Sequence, residues 1–222
     1  MSGYQQYQIL PGKDRVKDNP DDYYETPQQL ARSAMRVIPL DSGSPRRVLD
    51  PGAGMGIWGA EVRKYFPHVT SIVGVEIDER LSCAEGYTHW IHTDYRDFDP
   101  QKYGLTNFDL IVGNPPYGVS QGKRDRLLAE KFVLKSLSML SSRGYVLFLL
   151  KTAFLESAER FHGLFHTHRP DKVYILANRV PFKPLEYGSK TNQISYALFL
   201  WSAQGSSHTF LYWMDWKTGE IR

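Results

Sequence analysis

The stretch Val48-Leu49-Asp50-Pro51-Gly52-Ala53-Gly54-Met55-Gly56 restricts the possible fold more than any other part of this 222-residue chain. Arg46-Arg47-Val48-Leu49-Asp50 reads as a short strand, and the alternate glycines after it make a tight loop before a helix predicted from about Ile57 to Tyr65. Glycines there remove side chains where a ligand must approach the backbone, and a helix N-terminus presents unsatisfied N–H groups. The next apolar run, Ser71-Ile72-Val73-Gly74-Val75-Glu76, ends in an acid 20 residues after Gly56. That is the spacing at which a carboxylate meets a ribose diol. The pair describes a strand–loop–helix nucleotide site; the plainer reading of Glu76 is a solvated strand-end acid.

The second organising feature is Asn114-Pro115-Pro116-Tyr117, directly after the apolar run Phe108-Asp109-Leu110-Ile111-Val112-Gly113. An Asn and two prolines at the end of a strand place a rigid polar loop where open α/β sheets hold ligands. The Asn114 side-chain carbonyl accepts a hydrogen bond, Pro115 offers a carbonyl without an N–H, and Tyr117 offers a flat face. Together they suit a planar group that carries an NH2.

Further elements follow from local signals. Thr26-Pro27 reads as an N-cap and first-turn pair, with Leu30, Ala34, Val37 and Ile38 on one helical face and Tyr23-Tyr24 stapling the helix to the core. A helix is expected over Glu79–Gly86, a strand near Thr88–His92, helices over Leu127–Leu140 and Phe154–Phe165, and strands over Tyr145–Leu150, Lys172–Ala177 and Ile194–Trp201. Asp94 suits an adenine amine with Tyr95 packed on the ring, whereas Asp97 and Asp99 suit turn caps. Lys123, Arg124 and Arg126 lie in a polar segment read either as a mobile phosphate clamp or as simply exposed charge. The long loop Asn178–Gln193 holds Phe182, Lys183, Tyr187 and Lys190, with Phe182 a core plug or a base-stacking platform. The tail segment Phe210-Leu211-Tyr212-Trp213 reads as a strand-like run whose aromatics are expected to cover a sheet edge.

Composition narrows the class. One cysteine, Cys83, excludes an intramolecular disulfide and a multi-cysteine metal cluster, and His162, His166 and His168 have no acid or cysteine to complete a metal set. No metal is therefore expected. With no apolar run of membrane-spanning length, a cytoplasmic, reducing setting is the expectation. A flexible arm over residues 1–20 precedes a single domain over 21–222; the arm's Lys13, Arg15 and Lys17 read either as contacts to a phosphate backbone or as charges on a plain flexible tail. The net charge is only +3, but it is −4 up to Val119 and +7 after it, an asymmetry that fits a polyanion approaching one side.

These pieces together resemble the class I S-adenosylmethionine-dependent methyltransferases, and within them the gamma group of N6-adenine DNA methyltransferases, over roughly Asp22 to Trp201. The resemblance implies an α/β, doubly wound, mainly parallel seven-stranded Rossmann-like sheet whose last strand is antiparallel. It implies S-adenosyl-L-methionine as cofactor, held by Tyr24, Thr26, Pro27, Asp50, Gly52, Ala53, Gly54, Glu76, Ile77, Asp94, Tyr95 and Asn114. The catalytic tetrapeptide maps onto Asn114, Pro115, Pro116 and Tyr117, and substrate contacts onto Tyr117, Lys123, Arg124, Phe182 and Lys183. One departure is that only 21 residues follow Trp201, where DNA-reading members carry a target-recognition domain.

The expected function is methyl transfer to the N6 amine of adenine in nucleic acid, with DNA favoured and no membrane partner. The alternatives are methylation of an RNA adenine or guanine amine, methylation of a protein glutamine, and a non-catalytic nucleic-acid-binding subunit of a heteromeric methylase. A partner subunit is left open. A nicotinamide dehydrogenase is disfavoured, because its phosphate loop needs a different glycine spacing and no hydride-handling His/Arg set is present.

Overall fold

A computed structural model describes residues 23–39, 44–182 and 194–222. The predicted arm, Lys183, Tyr187 and Lys190 lie outside the described residues. The strands are β1 (Arg47–Pro51), β2 (Ser71–Glu76), β3 (His89–His92), β4 (Phe108–Gly113), the small pair β5 (Val119–Ser120) and β6 (Lys123–Arg124), β7 (Leu140–Lys151), β8 (Lys172–Leu176), β9 (Tyr196–Ser202), β10 (Phe210–Asp215) and β11 (Glu220–Ile221). The α-helices are α1 (Gln28–Ala34), α2 (Ile57–Tyr65), α3 (Leu128–Ser138), α4 (Ala158–His162) and α5 (Leu164–Thr167).

Among the described residues the main sheet has nine strands in the order β11-β10-β8-β9-β7-β4-β1-β2-β3. Strands β3, β2, β1, β4 and β7 are parallel, and β9 runs antiparallel between β7 and β8. The inserted antiparallel strand is the one expected. The count of seven is corrected by β10, parallel to β8, and β11, antiparallel to β10. The tail aromatics thus extend the sheet instead of covering its edge.

Alternation along the strands builds two cores, one on each face. Val48, Ile72, Leu110 and Leu147 pack with Leu30 of α1 and Trp58 and Val62 of α2. Leu49, Val73, Ile111 and Phe148 pack with Leu128, Phe132 and Val133 of α3. Period-two side-chain alternation in a sheet covered on both faces requires this division.

Three local expectations change. No helix forms over Glu79–Gly86; the segment is irregular, with Leu81 its one well-buried apolar residue, so it lacks an apolar face to pack. The predicted Phe154–Phe165 helix is a 3-10 turn (Thr152–Leu155) followed by α4 and α5, broken at Gly163, with the Ser157 hydroxyl accepting from the Arg160 N–H at 3.3 Å. Thr26 does not cap α1: Pro27 holds that position, and the Thr26 hydroxyl accepts from the Trp58 indole N–H at 3.3 Å. Among the described residues no helix is long and apolar enough to cross a membrane.

Candidate active site

The strand order reverses between β1 and β4, and the loops leaving their carboxyl ends meet there. A Cβ placed on Gly52 would lie 3.7 Å from Pro116 Cδ, so the glycine loop and the Asn-Pro-Pro-Tyr loop are neighbours. Open α/β sheets bind ligands at such a reversal.

Backbone bonds shape the glycine loop. The Gly52 and Ala53 N–H groups donate to the Val75 carbonyl at 2.8 and 3.0 Å. Gly52 and Gly54 have φ of 71° and 56°, a left-handed conformation that side chains disfavour. Glu76, 6% exposed, braces this turn: Oε2 accepts from the Gly54 N–H at 2.7 Å and Oε1 from the Asp78 N–H at 2.9 Å. Burial pushes its carboxyl up, against the opposing backbone donors Asp78, Gly54 and Ile77. A carboxylate has about four acceptor positions, so these bonds leave capacity for a diol.

Asp50 is fully buried at the same end of β1. Burial raises its carboxyl to about 7; a hydrogen bond from Tyr87 opposes this, the nearby Glu76 charge adds to it, and the Gly59 N–H opposes it. One oxygen accepts from the Tyr87 hydroxyl, while Oδ1 is buried without a hydrogen-bond partner. A buried, unpartnered acceptor beside a glycine cradle fits a ligand that brings its own donor or positive charge.

The Tyr23-Tyr24 segment crosses this cradle. A Cβ on Gly54 would fall 2.9 Å from Tyr23 Cε2, so the Tyr23 ring lies against the loop. The Tyr24 carbonyl accepts from Asn114 Nδ2 at 3.1 Å. That donation turns Asn114 Oδ1 the other way, where the Tyr117 hydroxyl donates to it. Lys151, at the end of β7, holds its ammonium 4.5 Å from the Tyr117 ring centroid. Tyr24 and Tyr196 lie on the ring's other contacts at centroid distances of 6.3 and 5.7 Å.

The structure brings Tyr24, Asp50, Gly52, Ala53, Gly54, Glu76, Ile77 and the tetrapeptide to one end of the sheet, with Thr26 and Pro27 at the start of α1 behind them. Other positions stand differently. Tyr95 is 3% exposed, hydrogen-bonded to Ser136 and packed on Phe132, so its ring is core and not a cover for adenine. Asp94 is gripped by Arg96 through Nε and Nη2; burial pushes its carboxyl up, but the Arg96 bonds and charge outweigh that and hold it low. Phe182 is 3% exposed against Tyr24 and Tyr196, at 5.8 and 4.8 Å, which is the core-plug arrangement. Lys123 and Arg124 form β6, an exposed strand paired with β5 around Gln121-Gly122, both at positive φ, so the basic segment is a hairpin. Sequence reasoning missed Tyr87 and Lys151. Tyr87 carried no periodic signal, and Lys151 reads as an ordinary strand-end lysine. Among the described residues no group of three His, Cys, Asp or Glu side chains is placed to hold a metal ion.

The chain has a doubly wound α/β fold of the kind methyltransferases share. It belongs to the methyltransferase small domain family, whose model matches residues 33–173. It is similar to the type II methyltransferase M.VspI of Vibrio sp. (strain 343), 29% identical over 162 residues, covering 63% of this chain and 39% of that protein. It is also similar to the tRNA1(Val) (adenine(37)-N6)-methyltransferase of Pedobacter heparinus, 28% identical over 141 residues, covering 53% and 58%. The chain thus spans between 39% and 58% of the length of these two relatives. A class I methyltransferase structure from Listeria monocytogenes shares the fold, with a TM-score of 0.60 at 12% identity over 85% of this chain and 65% of that one.

Proposed function

We propose that this chain methylates the exocyclic N6 amine of adenine in nucleic acid, with DNA the favoured target. The observation that carries this reading is Asn114 at the carboxyl end of β4, oriented by Tyr24 and set beside the glycine loop. Bound S-adenosylmethionine supplies an electrophilic sulfonium methyl. Asp50, Gly52, Ala53, Gly54, Glu76 and Ile77 would hold it, with the Tyr24 to Pro27 segment as cover and Asp94 near the purine.

The chain's own task is to make a poor nucleophile reactive. An adenine amine shares its lone pair with the ring, and hydrogen bonds from its two hydrogens to Asn114 Oδ1 and the Pro115 carbonyl localise that pair on nitrogen. As the adenine nitrogen takes the methyl that bound S-adenosylmethionine would give up from sulfur, one amine proton leaves to solvent. A carbonyl oxygen has two lone pairs, so Tyr117 occupies one acceptor position of Asn114 Oδ1 and leaves the other. The target base first leaves its stack, at a cost of a few kcal/mol, and Tyr117 offers the replacing surface once Lys151 withdraws from its ring. Lys123, Arg124 and Lys183 serve the phosphate backbone, as the +7 charge of the second half supports.

RNA is the second reading, favoured by the likeness to a protein named as a tRNA adenine-N6 methyltransferase. Incubation with methyl-labelled cofactor and duplex DNA, single-stranded DNA, transfer RNA or protein decides. Label in N6-methyladenine of DNA is the expected result, label in RNA alone moves the target class, and label only in protein removes the proposal.

A further inference from the structure

Resting on the methyltransferase reading, we propose that Tyr87 is a positioning residue of the cofactor cradle: its hydroxyl holds Asp50 so that Oδ1 meets the ammonium at the cofactor's amino-acid end. Tyr87 lies in the irregular segment between β2 and β3, outside every motif of the site. Its ring fills a slot left by three glycines, two at the start of α2 and one in β2. A Cβ on Gly59 would fall 2.3 Å from Tyr87 Cζ, one on Gly56 2.9 Å from Cε2, and one on Gly74 3.0 Å from Cδ1. Trp90 supports the ring edge-on at 5.1 Å. Part of the glycine pattern around the loop therefore makes room for a tyrosine.

The hydroxyl joins helix and strand. It accepts from the Gly59 N–H at 3.0 Å, one of the first amides of α2, whose cap residue Gly56 has no side chain to do so. It donates to Asp50 Oδ2. With Oδ2 anchored, the carboxylate cannot turn, and Oδ1 faces Gly113 across the β1/β4 reversal; a Cβ there would lie 3.0 Å away. Oδ1 is buried without a partner, and a cationic donor satisfies both its charge and its lone pairs.

The charged and titratable groups around Asp50 are few: Glu76 from β2 and Tyr87 itself, while α2 contributes the Gly59 N–H. Burial raises the Asp50 carboxyl to about 7, and the Tyr87 bond acts against that rise. A cation prefers the ionised carboxylate, so affinity falls as pH drops through about 7. Tyr87→Phe keeps the ring in its slot but removes the opposing bond, and the fall then begins at higher pH. Stability has the reverse sign: an acid raised on folding adds stability below its unfolded value of about 3.9 and loses it as pH rises through about 7.

The test is calorimetric titration of S-adenosylhomocysteine, which retains the ammonium, between about pH 6 and pH 9 into wild type, Tyr87→Phe and Asp50→Asn, with thermal unfolding as the folding control. Wild-type affinity is expected to fall toward the acid side. Tyr87→Phe should bind about tenfold more weakly near pH 7, with its midpoint moved upward, and Asp50→Asn should bind weakly and lack the acid-side fall near pH 7. Wild-type affinity and midpoint in Tyr87→Phe would overturn the proposal, as would weaker binding with an unmoved midpoint, which assigns Tyr87 to packing alone. If Tyr87→Phe does not fold, a pH profile for Asp50→Asn that matches wild type overturns it equally. Failure of the wild type to bind at any pH removes the methyltransferase reading, and this proposal with it.

Discussion

From Asp50 to Glu76 one wall of the candidate site is held by backbone N–H groups: Gly52 and Ala53 bond to Val75, and Gly54 and Asp78 to the Glu76 carboxylate. Across the reversal, the wall around Asn114 is held by side chains on side chains, with Tyr24, Tyr117, Phe182, Tyr196 and Lys151 covering one another's rings. Backbone bonds keep their geometry when a ligand enters, whereas ring contacts exchange one partner for another. Under the proposed function the first wall would receive the cofactor as it stands, and the second would give up contacts to admit a base. The two walls meet at Tyr24, whose carbonyl orients Asn114.

The sharpest break in this comparison is Phe182→Ala. A buried ring removed from the aromatic wall should cost about 3–5 kcal/mol of stability, seen as a lower midpoint in denaturant. An unchanged midpoint with lost turnover would instead assign Phe182 to stacking on the base and reverse its placement as a plug.

Next in size is Asn114→Ala, which leaves the backbone wall intact. The expected loss in kcat is on the order of 100- to 1000-fold, with cofactor affinity nearly unchanged. Retained turnover would take Asn114 out of the transfer step. Glu76→Ala attacks the other wall. It removes a charged acceptor from the Gly54 and Asp78 N–H groups and should weaken cofactor binding by about 1.5–3 kcal/mol, with kcat at saturating cofactor largely kept. If it lowered kcat and left affinity alone, the division between the walls would fail.

The same division explains what the sequence made legible. β1, β2, β4 and the glycine loop were readable because apolar runs, glycines and a strand-end acid are local signals, and backbone geometry follows them. Phe182 stayed open and Tyr95 was expected on the adenine ring because an aromatic side chain serves a core or a stacking surface with the same chemistry, and only burial decides. Glu79–Gly86 was misread as helix because its charged and small residues tolerate a helix, yet the chain there must bring Tyr87 back to the glycine loop. The strand-like run Phe210–Trp213 was legible, but its place inside the sheet was not, because Phe210, Leu211 and Trp213 stay largely exposed even there and the usual alternation of burial is absent.

The smallest expected effect probes how the aromatic wall opens. Lys151 places its charge on the Tyr117 ring face, an interaction worth about 0.5–1 kcal/mol where partly exposed. Lys151→Met keeps the length and loses the charge, so the ring face becomes easier for a base to reach while any phosphate contact disappears. The two roles separate by salt. If Lys151 moves to a phosphate when nucleic acid binds, Lys151→Met lowers affinity at low salt, and the slope of log affinity against log salt falls by about one. If Lys151 only screens Tyr117, the slope stays and affinity rises by up to about fivefold, the equivalent of the lost ring contact. A change in kcat with neither effect on binding would place Lys151 in the chemistry itself and give the aromatic wall a second group that acts on the amine.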